Sequence, residues 1–352
     1  MKLSKKLLSL LLCAVMVLGS VAVGGEGFAE VFDTLSIKVS AADELTEGIY
    51  TYTVNNGEVA ITGCDKNASG SISIPSTIDG YPVTSIEQEA FDNCSSLVNI
   101  SIPDSVKSIG VAAFSYCTGL TGIIIPDGVT TIDVSTFWGC SGLTEITIPD
   151  SVTTIRHYAF CYCTGLTSIV IPDGVQVIDV GTFWECSGLK NITFGNSVSK
   201  IESFAFSDCT GLTEISIPET VKSIGDNAFS ECTGLTQINI PDGVDVISNS
   251  TFVNCSSLEN ITLPKTVNSI EKWAFYGATS LTDVYYQGSR SDKKNISIDI
   301  SNVSVKLATW HYEGSKDNSF LNLIDCINAV FETMWFDISL FLSNILNILF
   351  EK

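Results

Sequence analysis

The chain has 352 residues, with 39 acidic against 18 basic side chains and a formal net charge of −21. A surface this acidic repels nucleic acid and anionic membranes and favours solubility outside the cell. Only two histidines are present, which leaves few places for acid–base chemistry.

Residues 1–29 read as a secretory signal. Lys2, Lys5 and Lys6 make a basic start, Leu7 to Val23 an apolar run, and Gly27-Phe28-Ala29 a cleavage site, with Ser40-Ala41 as its rival. Cys13 follows Leu12, where a lipoprotein site needs a small residue, so it reads as an ordinary signal-peptide cysteine. Losing the leader removes three lysines and Glu26, for a mature charge of about −23. Residues 30–47 form a short polar lead-in. From Gly48 to Cys64 the sequence alternates, with Asn55-Asn56-Gly57 as a hairpin turn. A hairpin there would cover the open end of the first repeat, so 48–90 is expected to hold an N-terminal cap and a first, longer repeat.

Residues 91–287 are organised by a period of 23. Cys94, Cys117, Cys140, Cys163, Cys186, Cys209, Cys232 and Cys255 keep it, and phenylalanine keeps it through nine units from Phe91 to Phe275. Leucine follows from Leu97 to Leu281. A period in this range with L-x-x-I-x-I-P inside it marks a leucine-rich-repeat solenoid. In one unit, Ile123 and Ile125 predict a strand with one buried face, which Pro126 ends because it offers no N–H. Val106 and Ile109 begin a second short extended or turn segment. Gly110 to Cys117 predicts one or two helical turns with Ala113, Phe114 and Cys117 inward, and Thr118-Gly119 turns the chain back. A single unit cannot offset the entropy of ordering its backbone, roughly 1–2 kcal/mol per residue, so the units must stack. Strand spacing of about 4.8 Å implies a sheet roughly 40 Å long. Units Pro126–Ile148 and Pro172–Phe194 agree at 16 of 23 positions, as a duplicated pair would.

The recurring block I-P-D-x-V-x-x-I-x-x-x-A-F-x-x-C-x-x-L resembles the BspA-like leucine-rich repeats, a family of bacterial surface proteins, more closely than the leucine-rich repeats of receptors. The opening Ile74-Pro75 to Ile86, five residues longer than later units, looks like that family's first unit. Residues 288–314, with Trp310-His311-Tyr312, resemble its closing cap. The resemblance covers roughly residues 48–313. It implies adhesion and binding without fixing a partner or a catalytic residue.

The expected fold is an α/β repeat solenoid: a right-handed coil with a parallel β-sheet on one face, short helical turns on the other, an N-terminal β-hairpin cap and a C-terminal amphipathic helix. That helix belongs to the tail, 315–352, where Ile324, Ile327, Phe331, Met334, Ile338, Phe341, Ile345 and Ile348 keep a 3–4 spacing over 319–350. Charged and polar residues interrupt the run before it reaches the length of a membrane span. Self-association, docking on the solenoid and membrane-surface contact stay open for it.

The cysteine ladder could hold disulfides or metal, but Ala278 occupies the same position in the ninth unit. Alanine replaces a small buried hydrophobe and cannot replace half a bridge or a ligand, so free buried thiols are expected. Cys161 and Cys163 are expected to face opposite ways. His157, on an exposed turn, and His311, in the cap, have no nucleophile-and-carboxylate set that the repeat would bring together, so no catalytic residue, metal or cofactor is expected. The sheet face is small and mildly acidic. On the turn side, Tyr116, Trp138, Tyr158, Tyr162 and Trp184, with His157 and Phe204 beside them, take outward positions on five consecutive units, as a recognition surface would or as rings that blanket the spine. The expected function is a secreted or cell-surface, non-enzymatic adhesin or interaction scaffold recognising host protein. The alternatives are a carbohydrate-binding module using the aromatic edge, and an envelope protein assembled through its tail helix.

Overall fold

The computed structural model describes residues 45–313; the leader and the tail helix expected over 319–350 lie outside them. A typical coil contributes two short strands separated by a Pro-x-x-Val turn. In one coil these are Gly122–Ile124 and Thr131–Ile132, and between them the Val129 N–H closes a turn onto the Pro126 carbonyl at 3.0 Å. Successive coils pair in parallel at the sequence period, Ile100 with Ile123 and Ile123 with Ile146 in the first ladder. Ile132 pairs with Ile155 in the second. Neither ladder is one long sheet. The first runs from Gly70–Ser73 to Glu145–Thr147, resumes as the pair Ser168–Val170 and Asn191–Thr193, lapses at the next coil, and resumes from Gln237–Asn239 to Thr309–Tyr312. The lapse follows the coil where Phe194-Gly195 replaces Ile-Pro. A Cβ on Gly195 would stand 2.4 Å from the Pro172 carbonyl oxygen, so the coils approach too closely there for any other residue.

The nine phenylalanines are fully buried and form one continuous stack. Neighbouring centroids lie 5.2 Å apart at Phe91–Phe114 and 5.6 Å at Phe229–Phe252, with nearly parallel planes. Burial of each ring contributes roughly 1.5–3 kcal/mol, and each ring is shared by two neighbours, which is why a coil needs its stack.

The face opposite the first ladder differs from expectation. It is built of linked reverse turns, not helical turns, and the short helices Arg290–Lys293 and Val303–Leu307 come only after the repeats. Two residues per coil, four apart, have left-handed backbone: Ala112 and Tyr116 at φ 53° and 55°, Tyr158 and Tyr162 at 58° and 60°, Ser250 and Asn254 at 55° and 58°. Such a residue cannot extend a right-handed helix, and outside glycine it costs about 1–2 kcal/mol. The offset is visible in the hydrogen bonds. The left-handed residues donate their N–H to the next coil, Ala112 to Val134 at 2.9 Å and Tyr116 to Trp138 at 2.6 Å, as Phe114 between them does to Thr136 at 2.9 Å, while Ala113 and Ser115 close turns within the coil. Ala113, Phe114 and Cys117 still face inward, so the core reading holds although the backbone differs.

At the N-terminal end, Tyr50–Asn55 and Glu58–Cys64 form an antiparallel hairpin around Asn56 and Gly57, whose φ of 53° and 78° suit its two-residue turn. The second hairpin strand pairs in parallel with Tyr81–Ile86, which pairs in turn with Ser108–Ile109. The extra residues of the long first repeat make a small antiparallel turn of their own, Thr77–Ile78 against Tyr81–Pro82.

Candidate functional site

The turn-side aromatics occupy three adjacent columns, and the column decides their exposure. Tyr158 and Phe204 fall on one left-handed column, Tyr116 and Tyr162 on the other. Trp138 and Trp184 lie between them, in a column that is covered at most coils: Asp92, Ser115, Ser207 and Ser230 there are all buried. Trp138 is 7% exposed and so is not outward. Its indole lies parallel to Tyr162 at 6.4 Å and tilted against Tyr158 at 5.6 Å. Cys161 belongs to the same column, between the two tryptophans. It is fully buried, as Cys163 is, so neither thiol meets solvent; Cys163 belongs to the core cluster and Cys161 lies outside it, among the rings of the edge.

The rings continue as one packed strip. Trp184 meets Tyr162 at 6.2 Å, Tyr158 at 6.4 Å and Phe204 at 5.8 Å. Glycines on the following coil make room: a Cβ on Gly139 would come 2.8 Å from the Tyr116 ring, and one on Gly181 would come 2.4 Å from the Tyr158 ring. The Trp184 Nε1–H donates to Asp208 Oδ2 at 3.1 Å, fixing that indole. Tyr116, Tyr158 and Trp184 are half-buried, and Tyr162 stands at the crest, 37% exposed. Continuing the Tyr162 column, Glu185, Asp208 and Glu231 stack on the next three coils. Partial burial, and then the neighbouring Asp208 charge, push the Glu185 carboxyl up.

The sheet face carries features that the sequence reading passed over as small. Ile124 and Val170 are 69% and 63% exposed on it. Near its C-terminal end Tyr285 stacks on His311 at 4.6 Å beside a depression of about 280 Å³. Both histidines bridge neighbouring coils to a carboxylate. His157 Nδ1 lies 2.7 Å from Asp179 Oδ1, an ion-pair contact outside hydrogen-bond geometry, and that carboxylate raises the imidazole pKa despite partial burial. His311 Nε2 lies 2.7 Å from Asp283 Oδ1 and, with Thr282, holds that carboxyl below its usual range. Among the described residues, no cluster of His, Cys, Asp or Glu is arranged to hold a metal ion, and no helix is long and apolar enough to cross a membrane.

Stacked parallel-strand coils around a phenylalanine and leucine core, with a wide ordered edge, define a leucine-rich-repeat scaffold. The chain belongs to the BspA-type family of such repeats: the BspA type leucine rich repeat region matches residues 65–190 and 178–298. A leucine-rich repeat protein from Bacteroides ovatus is similar at 26% identity, over 78% of this chain and 79% of its own, with a TM-score of 0.56. A leucine rich cell surface protein from Faecalibacterium prausnitzii is 27% identical over 74% of this chain and 99% of its own, with a TM-score of 0.36. The leucine rich repeat protein of Treponema pallidum (T. pallidum) is 26% identical over 78% of this chain and all of its own, with a TM-score of 0.35. No curated protein matches the chain.

Proposed function

We propose that the chain is a secreted or cell-surface, non-enzymatic interaction scaffold that recognises a host protein through its turn-side edge. The observation that carries this reading is the strip of mutually packed rings from Trp138 through Tyr158, Tyr162 and Trp184 to Phe204, with Tyr162 at its crest and the acidic column Glu185, Asp208 and Glu231 continuing from it. Rings already held by their neighbours lose little entropy on binding, and large aromatics supply most hot-spot energy. Carboxylates beside them suit a partner presenting lysine or arginine, whose cations also sit well over tyrosine and tryptophan faces. Trp138 serves as the floor of the strip. The leader at 1–29 supports export.

Ile124 and Val170 favour a second reading, in which the same class of partner lies on the sheet face. Titrating the mature chain over immobilised host-matrix proteins separates the two. Tyr162→Ser is expected to weaken binding tenfold or more, about 1.4 kcal/mol, with an unchanged melting temperature, while the pair Ile124→Ser and Val170→Ser leaves binding intact. The opposite pattern moves the site to the sheet. Binding to glycans alone, inhibited by free sugar, would replace the protein partner with a carbohydrate.

A further inference from the structure

Cys64 and Cys94 stand apart from the other thiols. Each of Cys117, Cys140, Cys163, Cys186, Cys209, Cys232 and Cys255 donates its S–H to the carbonyl of the phenylalanine 26 residues earlier, at 3.0–3.2 Å. The first rung uses a different acceptor: Cys94 reaches the Asp65 carbonyl, 29 residues earlier, and not that of Ala68 at the 26-residue place. Its Sγ lies 4.0 Å from the Asp65 carbonyl oxygen, and the Sγ of Cys64 lies 3.6 Å from the same atom. The two thiols are within hydrogen-bonding reach of each other, and both are buried. They come from different elements: Cys64 ends the hairpin, and Cys94 lies in the first coil of the phenylalanine stack.

The surroundings favour thiol chemistry at this pair. Lys66 donates its ammonium to the Asp92 carbonyl, and its charge favours the thiolate at both sulfurs. The hydrogen bond from Cys64 holds Cys94 below the usual thiol range and keeps Cys64 protonated. The seven rungs from Cys117 onward have no such cation. Burial pushes their thiols up, Cys140 and Cys255 to about 12. Nucleophilicity follows the thiolate, so oxidation should concentrate at the N-terminal pair.

We propose that Cys64 and Cys94, both reduced in this structure, are a disulfide-forming pair that locks the N-terminal hairpin onto the first coil once the chain reaches an oxidising compartment. The compartment rests on the export proposed above; the pairing rests on the convergence of the two buried sulfurs on the Asp65 carbonyl. With a small disulfide such as oxidised glutathione as the oxidant, the Cys94 thiolate attacks one glutathione sulfur and expels a glutathione thiolate. Cys64, having released its proton to solvent, then attacks Cys94 Sγ and expels glutathione from the mixed disulfide. Two cysteine thiols and one glutathione disulfide thus become one protein disulfide and two glutathione thiols. A solenoid frays from its ends, so a link at this position ties the terminal hairpin to the coil it covers.

The test is to refold the mature chain in a reduced and oxidised glutathione couple, alkylate it, and map its peptides by mass spectrometry. The expected result is a Cys64–Cys94 linked peptide, two hydrogens lighter than its reduced pair, with Cys117 through Cys255 recovered alkylated. Oxidation should raise the melting temperature of the native sequence and leave that of Cys64→Ser unchanged. Recovery of Cys64 and Cys94 as alkylated thiols, or a bridge from Cys94 to Cys117, overturns the pairing. The same peptides from acid-quenched cells test the compartment separately. A pair bridged after refolding but reduced in cells overturns export, and with it the bridge in the living cell.

Discussion

Asn302 Oδ1 accepts the backbone N–H of Phe275 at 2.9 Å. In earlier coils the equivalent phenylalanine N–H goes to the next coil's backbone, Phe252 to Ala274 at 2.8 Å and Phe229 to Thr251 at 3.0 Å. The ninth phenylalanine has no further repeat beyond it, and a side chain supplies the acceptor. Ser301 does the same for Trp273, its Oγ accepting that N–H at 2.7 Å, where Ser250 one coil earlier uses the Lys272 carbonyl. Asn302 is fully buried and returns its own amide to the Glu271 carbonyl at 2.7 Å.

Replacing Asn302 with alanine should therefore destabilise the C-terminal end by roughly 1–3 kcal/mol, the cost of a buried N–H left unpaired. Urea unfolding would show a lower midpoint, and hydrogen exchange would show lost protection at the Phe275 amide first. Unchanged protection there would mean that water or a neighbouring group replaces Asn302.

The two exposure classes on the aromatic edge predict opposite behaviour. Trp138→Ser removes a buried ring from between Tyr158 and Tyr162 and should cost about 3–5 kcal/mol. Tyr162→Ser should cost less than about 1 kcal/mol, because much of that ring is in water. Thermal melting of the two variants decides it. Equal costs would show that the strip packs as one unit.

Within the thiol ladder, Cys186 donates to the Phe160 carbonyl at 3.1 Å. Cys186→Ala loses one sulfur and one weak bond, about 1 kcal/mol. Phe183→Ala opens a gap in the stack and should cost about 3–5 kcal/mol. Alkylation at mildly alkaline pH should leave Cys117 through Cys255 unmodified until denaturant is added, since burial raises all seven thiols. Modification of these thiols at native rates below the unfolding midpoint would contradict their burial.

The His157–Asp179 contact gives a pH dependence with a definite sign. The folded imidazole has a raised pKa, chiefly through the Asp179 carboxylate beside it. Its stabilising contribution is fully present below the unfolded histidine value of about 6.5 and is lost as pH rises through the folded value. Melting temperature should fall over that window in the native sequence and stay flatter in His157→Gln. A proton titration of the imidazole with a midpoint at or below about 6.5 would remove the basis for this trend.

The sequence by itself determined the coil. A fixed period of 23 with phenylalanine, leucine and cysteine at constant positions places each side chain above its own counterpart, so the stack, the buried thiols and the parallel register follow from spacing alone. Spacing also suggested a helical turn at Ala113, Phe114 and Cys117, and here the tertiary structure decided otherwise. Residues three and four apart share a face in a helix and in a chain of turns alike, and side-chain pattern does not report the sign of φ at Ala112 or Tyr116. That sign is set by hydrogen bonds to the next coil, which exist only once coils stack. The packing of neighbouring coils covered Trp138 and Cys161 and left Tyr162 at the crest, so exposure on the candidate edge was a tertiary property. The closure by Asn302 and the meeting of Cys64 with Cys94 lie off the period, at ends where the repeat stops and no spacing rule reaches.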